Sequence, residues 1–405
     1  MKIFDLLRQS DKSYRQSIWF FITAYFLVQF NYSLVKASST SLFFEAFGAK
    51  STPLASLWTV LFLTLSILIC NKIQSRKAVQ IVFMGASIFS VLLFSATTLG
   101  FMDGYKFLSF PQFIWKEIYI VIQIHLLLAY ANNYFKKEDF KVILGPVGAI
   151  GSLGGIFGGL LTSYLGQNVD TNAVMWTGIV FVFLPALFFY MTPWLLVEQK
   201  KDQGVSPLAS LNNIKIRQYV ITIAAIVALT QFIINIADFR FHVELEKVIS
   251  DSSQRTAFLG NIYTYINIIT LVFQVFLLPY ILPRVSEKNY HLFIPLSYAV
   301  CVGALMMGSS VGLLPIAALY TYFKASDYSI FSAGKEILYQ PLSQIQKYGA
   351  KYLTDMLVYR TAKAMVAAVL IYLQSSMILN VLMLTFLVIW IILIIQLFKL
   401  QKKLS

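Results

Sequence analysis

The chain has 405 residues, of which 58% are hydrophobic and only 12% are charged, and its formal net charge is +14. A soluble protein of this length would need a larger charged surface, so the composition predicts an integral membrane protein. Basic loops that face anionic lipid headgroups explain the positive charge, and we expect no nucleic acid polymer as a partner. Two cysteines and three histidines offer little material for a metal site, so no cofactor is expected.

Twelve apolar windows are long enough to cross about 30 Å of hydrocarbon as helices. We therefore predict an all-α integral membrane protein with twelve transmembrane helices. The windows are residues 18–35, 52–70, 79–101, 110–134, 142–166, 173–197, 219–241, 257–282, 292–309, 311–333, 352–374 and 377–398.

A polar connection at residues 198–218 separates the sixth window from the seventh. It divides the chain into an N-terminal six-helix half at 18–197 and a C-terminal six-helix half at 219–398. A leader at 1–17 and a tail at 399–405 complete the predicted organisation. Two halves of six spans resemble the secondary carriers of the major facilitator type, which work by alternating access about a central site.

Lysine and arginine residues are concentrated in alternate connections, on the side that also holds both chain ends. Loops rich in lysine and arginine stay on the cytoplasmic side of a membrane. We therefore predict that both termini are cytoplasmic, and we expect a monomer in a bacterial cytoplasmic (inner) membrane.

The fifth window contains the glycine-rich run GPVGAIGSLGGIFGGLLTSYLG. No strand is predicted before it and its length matches a membrane span, which argues against a nucleotide-binding loop. Small residues at such spacing instead predict close packing against neighbouring helices.

The stretch between Lys324 and Lys363 places ionisable residues within two of the predicted spans. Lys324 and Asp327 share one helix face, as do Arg360 and Lys363. A charge in hydrocarbon is costly, so such residues normally face a bundle interior, where they pair or bind a solute. Together with Asp355, the stretch has a small excess of cations, which favours an anionic ligand.

Four further positions hold charge near or within the spans. Lys36 closes the first span, Glu117 lies in the fourth and Asp238 in the seventh. The short acidic side chains reach the headgroups less easily than a long lysine does, so we expect them in the interior. Lys335 and Glu336 lie near the end of the tenth span, where an ion pair at the membrane border is the alternative interpretation.

Residues 327–342, DYSIFSAGKEILYQPL, are similar to a K-Y-S-x-F-x-x-x-K-E-x-x-Y-x-P-L segment of the ATP/ADP translocases. These are nucleotide transporters of plastids and intracellular bacteria. Weaker matches surround Glu117, the sequence NIADFR at Asp238, and the sequence VKASSTSLFF that follows the first span. The resemblance covers nearly the whole chain and implies a carrier. Ser39 and Asp238 stand where that family has a lysine and a glutamate.

The predicted function is a secondary active transporter of a small organic anion, most plausibly a nucleotide or another phosphorylated metabolite. The alternative is a carrier of a different solute, such as a zwitterion, that is coupled to protons through Asp327 or Asp238. The predicted substrate-binding residues are Lys36, Glu117, Asp238, Lys324, Asp327, Lys335, Glu336, Arg360 and Lys363.

The charged residues allow two other interpretations. A membrane enzyme would need a histidine and a carboxylate in reach, and the spacing of Asp238 and His242 is of that kind. We predict no enzyme. Arg360 and Asp355 could instead form an internal structural pair. Removal of either residue would then leave the other charge unpaired and impair folding.

Overall fold

The computed structural model describes residues 2–196, 213–307 and 312–403, and within these ranges it contains helices and no strand. The predicted linker at 198–218 lies mostly outside the described residues. The same holds for the end of the predicted tail and for the boundary between the ninth and tenth predicted spans.

In the described part of the first half, one short helix is followed by six long ones, which correspond in order to the first six predicted spans. They are α1 (Lys2–Gln9), α2 (Lys12–Phe47), α3 (Thr52–Gln74), α4 (Val79–Met102), α5 (Ser109–Tyr134), α6 (Lys137–Asn168) and α7 (Thr171–Tyr190).

In the described part of the second half, three spans are each divided into two α-helical pieces by a π-helical segment. The helices are α8 (Ile214–Val248), α9 (Ser252–Val272), α10 (Leu278–Ile281), α11 (Glu287–Met307), α12 (Leu313–Ser326), α13 (Ser332–Leu338), α14 (Gln344–Lys351), α15 (Tyr359–Tyr372) and α16 (Ser376–Gln401). The π-helical segments are Phe273–Leu277, Asp327–Phe331 and Tyr352–Val358.

Ten helices of the described chain are long and apolar enough to cross a membrane. The tenth and eleventh predicted spans correspond to the helical stretches 313–338 and 344–372, which carry the charged residues and the second and third π-helical segments. Each of the twelve predicted spans thus has a helical counterpart, and the all-α membrane fold is confirmed. Several helices run past their predicted windows: α2 has 36 residues and α8 has 35.

Polar side chains and a glycine define where several helices begin and end. The Asp11 carboxylate accepts a hydrogen bond from the Tyr14 amide at 2.7 Å and so caps α2. Asp170 caps α7 in the same way, through the Ala173 amide at 2.6 Å. Gly48 ends α2 with φ of 76°, a conformation that a residue without Cβ adopts at little cost.

The described residues group into two compact units. Unit 1 contains residues 2–48, 61–196 and 249–271, so it takes most of α9 from the second half of the sequence. Within unit 1, α2 packs against α5, α6 and α7, and α4 packs against α5 and α7. Its core is built from large apolar side chains such as Phe83, Tyr119 and Phe189, which are almost completely buried.

Unit 2 contains residues 49–60, 213–248, 272–307 and 312–403. Here α8 is the central helix and packs against α12, α15 and α16, while α11 packs against α16. Trp390, Tyr298 and Phe323 lie in the core, and the rings of Tyr298 and Phe323 are stacked with centroids 3.8 Å apart.

Tyrosine hydroxyls bind backbone carbonyls of the interrupted tenth span. Tyr298 donates to the Phe323 carbonyl at 2.9 Å and Tyr290 to the Ile330 carbonyl at 2.5 Å. Tyr219 donates to the carbonyl of Leu338, the last residue of α13, at 2.8 Å. An unpaired hydroxyl is costly in hydrocarbon, so these hydrogen bonds satisfy the tyrosines and fix α8 and α11 to the tenth span.

The glycines of α6 permit close helix contacts, as the sequence predicted. A Cβ atom at Gly158 would clash with the backbone of Phe30 in α2, and a Cβ at Gly159 would clash with the backbone of Gly260 in α9. Because backbone atoms cannot rotate away as a side chain does, these positions tolerate no larger residue without a shift of the helices. Gly145, in the same helix, has open space at its Cβ position.

We predict that Gly158→Ala lowers the stability of the folded protein by about 1–3 kcal/mol, since the added methyl group pushes α2 away from α6. Gly145→Ala is the matched control, and we expect it to be neutral or slightly stabilising because alanine favours a helix. Thermal unfolding of the purified variants in detergent measures the difference. Equal melting temperatures for the two variants would contradict this account of α6.

Candidate functional site

The nine predicted site residues lie in both compact units. Unit 1 holds Lys36 on α2 and Glu117 on α5. Unit 2 holds the other seven, which are Asp238, Lys324, Asp327, Lys335, Glu336, Arg360 and Lys363.

In unit 1 the Lys36 ammonium lies between two tyrosine rings. Its Nζ atom is 5.3 Å from the ring centroid of Tyr32 and 4.8 Å from that of Tyr263 on α9. The Tyr32 hydroxyl donates to Glu117 Oε2 at 3.4 Å. An ammonium over aromatic faces is held by the negative potential of the rings, so Lys36 is positioned inside unit 1.

Glu117 also binds a lysine that is almost completely buried. The distance from Lys116 Nζ to Glu117 Oε1 is 2.9 Å, and the Lys116 side chain is 3% exposed. Its ammonium additionally lies 3.8 Å from the ring centroid of Phe113. Lys116 therefore does not extend to the headgroups, although a lysine side chain is long enough to do so.

Two other cationic side chains are more buried than their sequence positions suggest. Arg255 lies in the first turn of α9 and donates to the Ser41 carbonyl at 3.4 Å. Arg240 in α8 is buried and donates to Asn380 Oδ1 in α16. Both arginines bind within the helix bundle, so neither extends to the membrane surface as a long side chain at a helix end can.

Ser39 stands at the position where the resemblance implies a lysine. This position faces a helix interface. Ser39 is fully buried, and its hydroxyl lies 3.8 Å from the Met175 sulfur in α7. Lys36, one turn earlier, contacts α9 instead through Tyr263.

In unit 2 five charged residues form a sequence of alternating sign. Lys324 interacts electrostatically with the carboxylates of Asp238 and Asp327. Asp327 interacts in turn with Lys335, and Lys335 Nζ lies 2.6 Å from Asp355 Oδ1. The network connects α8 with the tenth and eleventh spans. Each of its two lysines has a carboxylate on a neighbouring turn or a neighbouring helix.

A second ion pair lies beside the first. Lys351 Nζ is 2.6 Å from Glu336 Oε2 and 5.6 Å from the ring centroid of Tyr339. The Tyr339 hydroxyl is 2.5 Å from Thr354 Oγ1. Lys335 and Glu336 therefore each pair across to the eleventh span and not with each other.

Asp355 is likewise paired with Lys335 and not with Arg360, the internal pair considered from the sequence. Arg360 and Lys363 lie in the first turns of α15, directly after the third π-helical segment, and both are partly buried. They share one face of the helix. Asp238 has a further partner in His242, with Oδ2 3.6 Å from Nδ1.

Sequence periodicity did not reveal the π-helical segments, although the second and third contain charged residues. Asp327 is the first residue of one segment and Asp355 lies within the next. Single π-helical turns occur frequently at functional sites, because the extra residue reorients the side chains around it. The charged residues within apolar spans were the sequence feature that could have indicated these segments, since they lie in the same tenth and eleventh spans.

Comparison with known proteins identifies the fold and two similar carriers. The family model of the Major Facilitator Superfamily matches residues 121–334, just over half of the chain. The chain is 22% identical to ADP,ATP carrier protein 1 of Chlamydia trachomatis serovar D, over 84% of this chain and 78% of that carrier. It is also 22% identical to ADP,ATP carrier protein 3 of Rickettsia felis, over 78% of each chain.

Among solved structures, that of the POT family transporter PepTSo is similar, with a TM-score of 0.67 and 12% identity over 96% of this chain and 98% of that one. These relatives are transporters, in agreement with the prediction of a carrier and not an enzyme. The similarity to ADP,ATP carriers covers most of the chain, as the sequence motifs suggested. The chain belongs to the Major Facilitator Superfamily and is a membrane transporter of that fold.

Proposed function

We propose that this transporter is a secondary carrier of an organic anion, with a nucleotide or another phosphorylated metabolite as its substrate, and that it works by alternating access. The observation that carries the proposal is the network of alternating charge in unit 2. The similarity to two ADP,ATP carriers supports it from an independent direction.

A phosphate group at membrane depth needs several fixed cations, because its charge is poorly stabilised where water is scarce. Unit 2 supplies four of them in Lys324, Lys335, Arg360 and Lys363. The carboxylates of Asp238, Asp327 and Asp355 compensate Lys324 and Lys335, which lowers the free-energy cost of placing these two cations within the spans. A bound anion would take over part of that role.

Lys36 in unit 1 is a further candidate for contact with the substrate. Its ammonium is positioned by the rings of Tyr32 and Tyr263, and the Tyr32 hydroxyl donates to the Glu117 carboxylate. The tyrosine faces and the cation together suit a solute that has both a planar ring and a negative charge.

A proton-coupled carrier of a different solute is the second candidate. The pair of Asp238 and His242, with Oδ2 3.6 Å from Nδ1, favours it, since histidine changes its charge near neutral pH. In that case Asp238 or Asp327 would take up the coupled proton, and the solute would be a zwitterion or another small metabolite.

We further propose that the protein is a monomer in a bacterial cytoplasmic membrane with both termini in the cytoplasm. The concentration of lysine and arginine in alternate connections supports this orientation.

An uptake experiment separates the two candidates. Purified protein is reconstituted into vesicles loaded with ATP, and entry of labelled ATP, ADP, AMP and adenosine is measured with and without a proton gradient. We expect saturable uptake of phosphorylated compounds, no uptake of adenosine, and little effect of the gradient. Uptake that occurs only for an uncharged or zwitterionic solute, and only with the gradient, would contradict the proposal.

The variant Lys363→Gln tests the cation set. We predict a loss of affinity for the phosphorylated substrate of about tenfold to more than a hundredfold, because a charge-assisted contact of roughly 1.5–3 kcal/mol is removed. Lys106→Gln is the control, since Lys106 is 56% exposed and pairs with Glu45 in unit 1. Purified yield and the thermal shift caused by substrate are measured for both variants.

A normal yield with a reduced shift for Lys363→Gln, and a normal shift for Lys106→Gln, is the expected result. A normal yield with an unchanged shift for Lys363→Gln would exclude this residue from the binding site.

A further inference from the structure

Two lysines and two carboxylates form a compact cluster where α13 meets α14 and the third π-helical segment. Lys335 and Glu336 are adjacent on α13, and Lys351 and Asp355 are one helical turn apart on the eleventh span. Each span therefore contributes one cation and one carboxylate, and both ion-pair distances are 2.6 Å. Lys351 was not among the residues predicted to bind substrate.

The outer pair of this cluster is accessible. The side chain of Lys351 is 43% exposed and that of Glu336 is 54% exposed, whereas Lys335 is 19% exposed. An ion pair at such exposure contributes little to stability. Separation of Lys351 from Glu336 by a ligand would therefore cost the protein little stability.

Lys351 is nevertheless held in place. Its ammonium lies 5.6 Å from the ring centroid of Tyr339, which is 1% exposed. The Tyr339 hydroxyl is 2.5 Å from Thr354 Oγ1, next to Asp355 in sequence. A buried ring fixed at its hydroxyl end presents a rigid face to the ammonium, so the cation stays beside the cluster when its carboxylate partner changes.

We propose that Lys351 is a further substrate-binding residue, and that it acts together with Lys335 as a two-lysine clamp for a phosphorylated solute. Asp355 and Glu336 are the counter-ions that the substrate replaces. Each lysine gives up one carboxylate contact, so an anion with one negative charge compensates only one lysine. An anion with two or more charges compensates both. This inference rests on the proposed function.

The clamp predicts opposite effects for the two members of the outer ion pair. Lys351→Met removes a phosphate contact and weakens binding of ADP. Glu336→Gln removes the carboxylate that competes with ADP for Lys351, and so strengthens binding. If the pair only joined two helices, Glu336→Gln would not increase the affinity for ADP.

Binding of a fluorescent ADP analogue to the purified protein, with ADP and cyclic AMP as competitors, tests the clamp. Cyclic AMP carries one negative charge on the same nucleoside. We expect the dissociation constant for ADP to rise about tenfold in Lys351→Met, as for the loss of one charge-assisted contact, and to fall in Glu336→Gln. The preference for ADP over cyclic AMP should shrink in Lys351→Met.

The double variant Lys351→Met/Glu336→Met removes the pair without leaving a lone charge, so it keeps the test valid if the single variant folds poorly. It should melt close to the wild type and still bind ADP about tenfold more weakly. Lys347→Met is the control on the same helix, α14, and should bind ADP as the wild type does.

If the wild type binds ADP and both Lys351 variants bind it with the same affinity, the clamp is overturned and the proposed function is left intact. An absence of wild-type binding to ADP and to a panel of other phosphorylated metabolites would overturn the proposed function as well. The two failures are therefore distinguishable in one experiment.

Discussion

An ionised side chain at membrane depth must find an opposite charge within the protein, since lipid offers none. The network of unit 2 meets this requirement by alternating its charges from Asp238 through Lys324, Asp327 and Lys335 to Asp355. The backbone of the same helices faces an equivalent demand where π-helical segments disturb the regular hydrogen bonds. Hydroxyls of Tyr298, Tyr290 and Tyr219 bind carbonyls of the tenth span and help to meet it.

A network of this kind is suited to a carrier because its pairs can be exchanged. Carboxylates compensate the cations while no anion is bound, and a phosphorylated solute offers the same charge in their place. The pairs at the end of the network, Lys335 with Asp355 and Lys351 with Glu336, join two spans that each contain a π-helical segment. Helices with such interruptions can change local geometry without complete unfolding of the span.

Much of the architecture could be predicted from the sequence, because the hydrophobic period and length of a membrane span are strong signals. The helical nature of the chain, its twelve spans and the close packing of α6 through Gly158 follow from composition and spacing. The nine candidate residues were identified because charges within apolar windows are rare. Their assignment to binding remains a prediction that the mutations above address.

The choice of partners could not be predicted. Lys335 pairs with Asp355, twenty positions away, and not with the adjacent Glu336, because only the folded hairpin of the two spans shows which side chains face each other. Lys116 and Arg255 are both buried, although a long side chain at a helix end is equally compatible with burial and exposure. Packing around each helix end decides between these possibilities, and sequence alone does not describe it.

The most direct measurement is the separation of Lys335 Nζ and Asp355 Oδ1 in a structure determined with ADP bound. The two atoms are 2.6 Å apart in the structure described above. The account predicts that this contact opens and that a phosphate oxygen takes the place of the carboxylate, at a charge-assisted hydrogen-bond distance of about 2.8 Å. A bound nucleotide whose phosphates contact none of Lys324, Lys335 and Lys363, with the Asp355 pair intact, would contradict it.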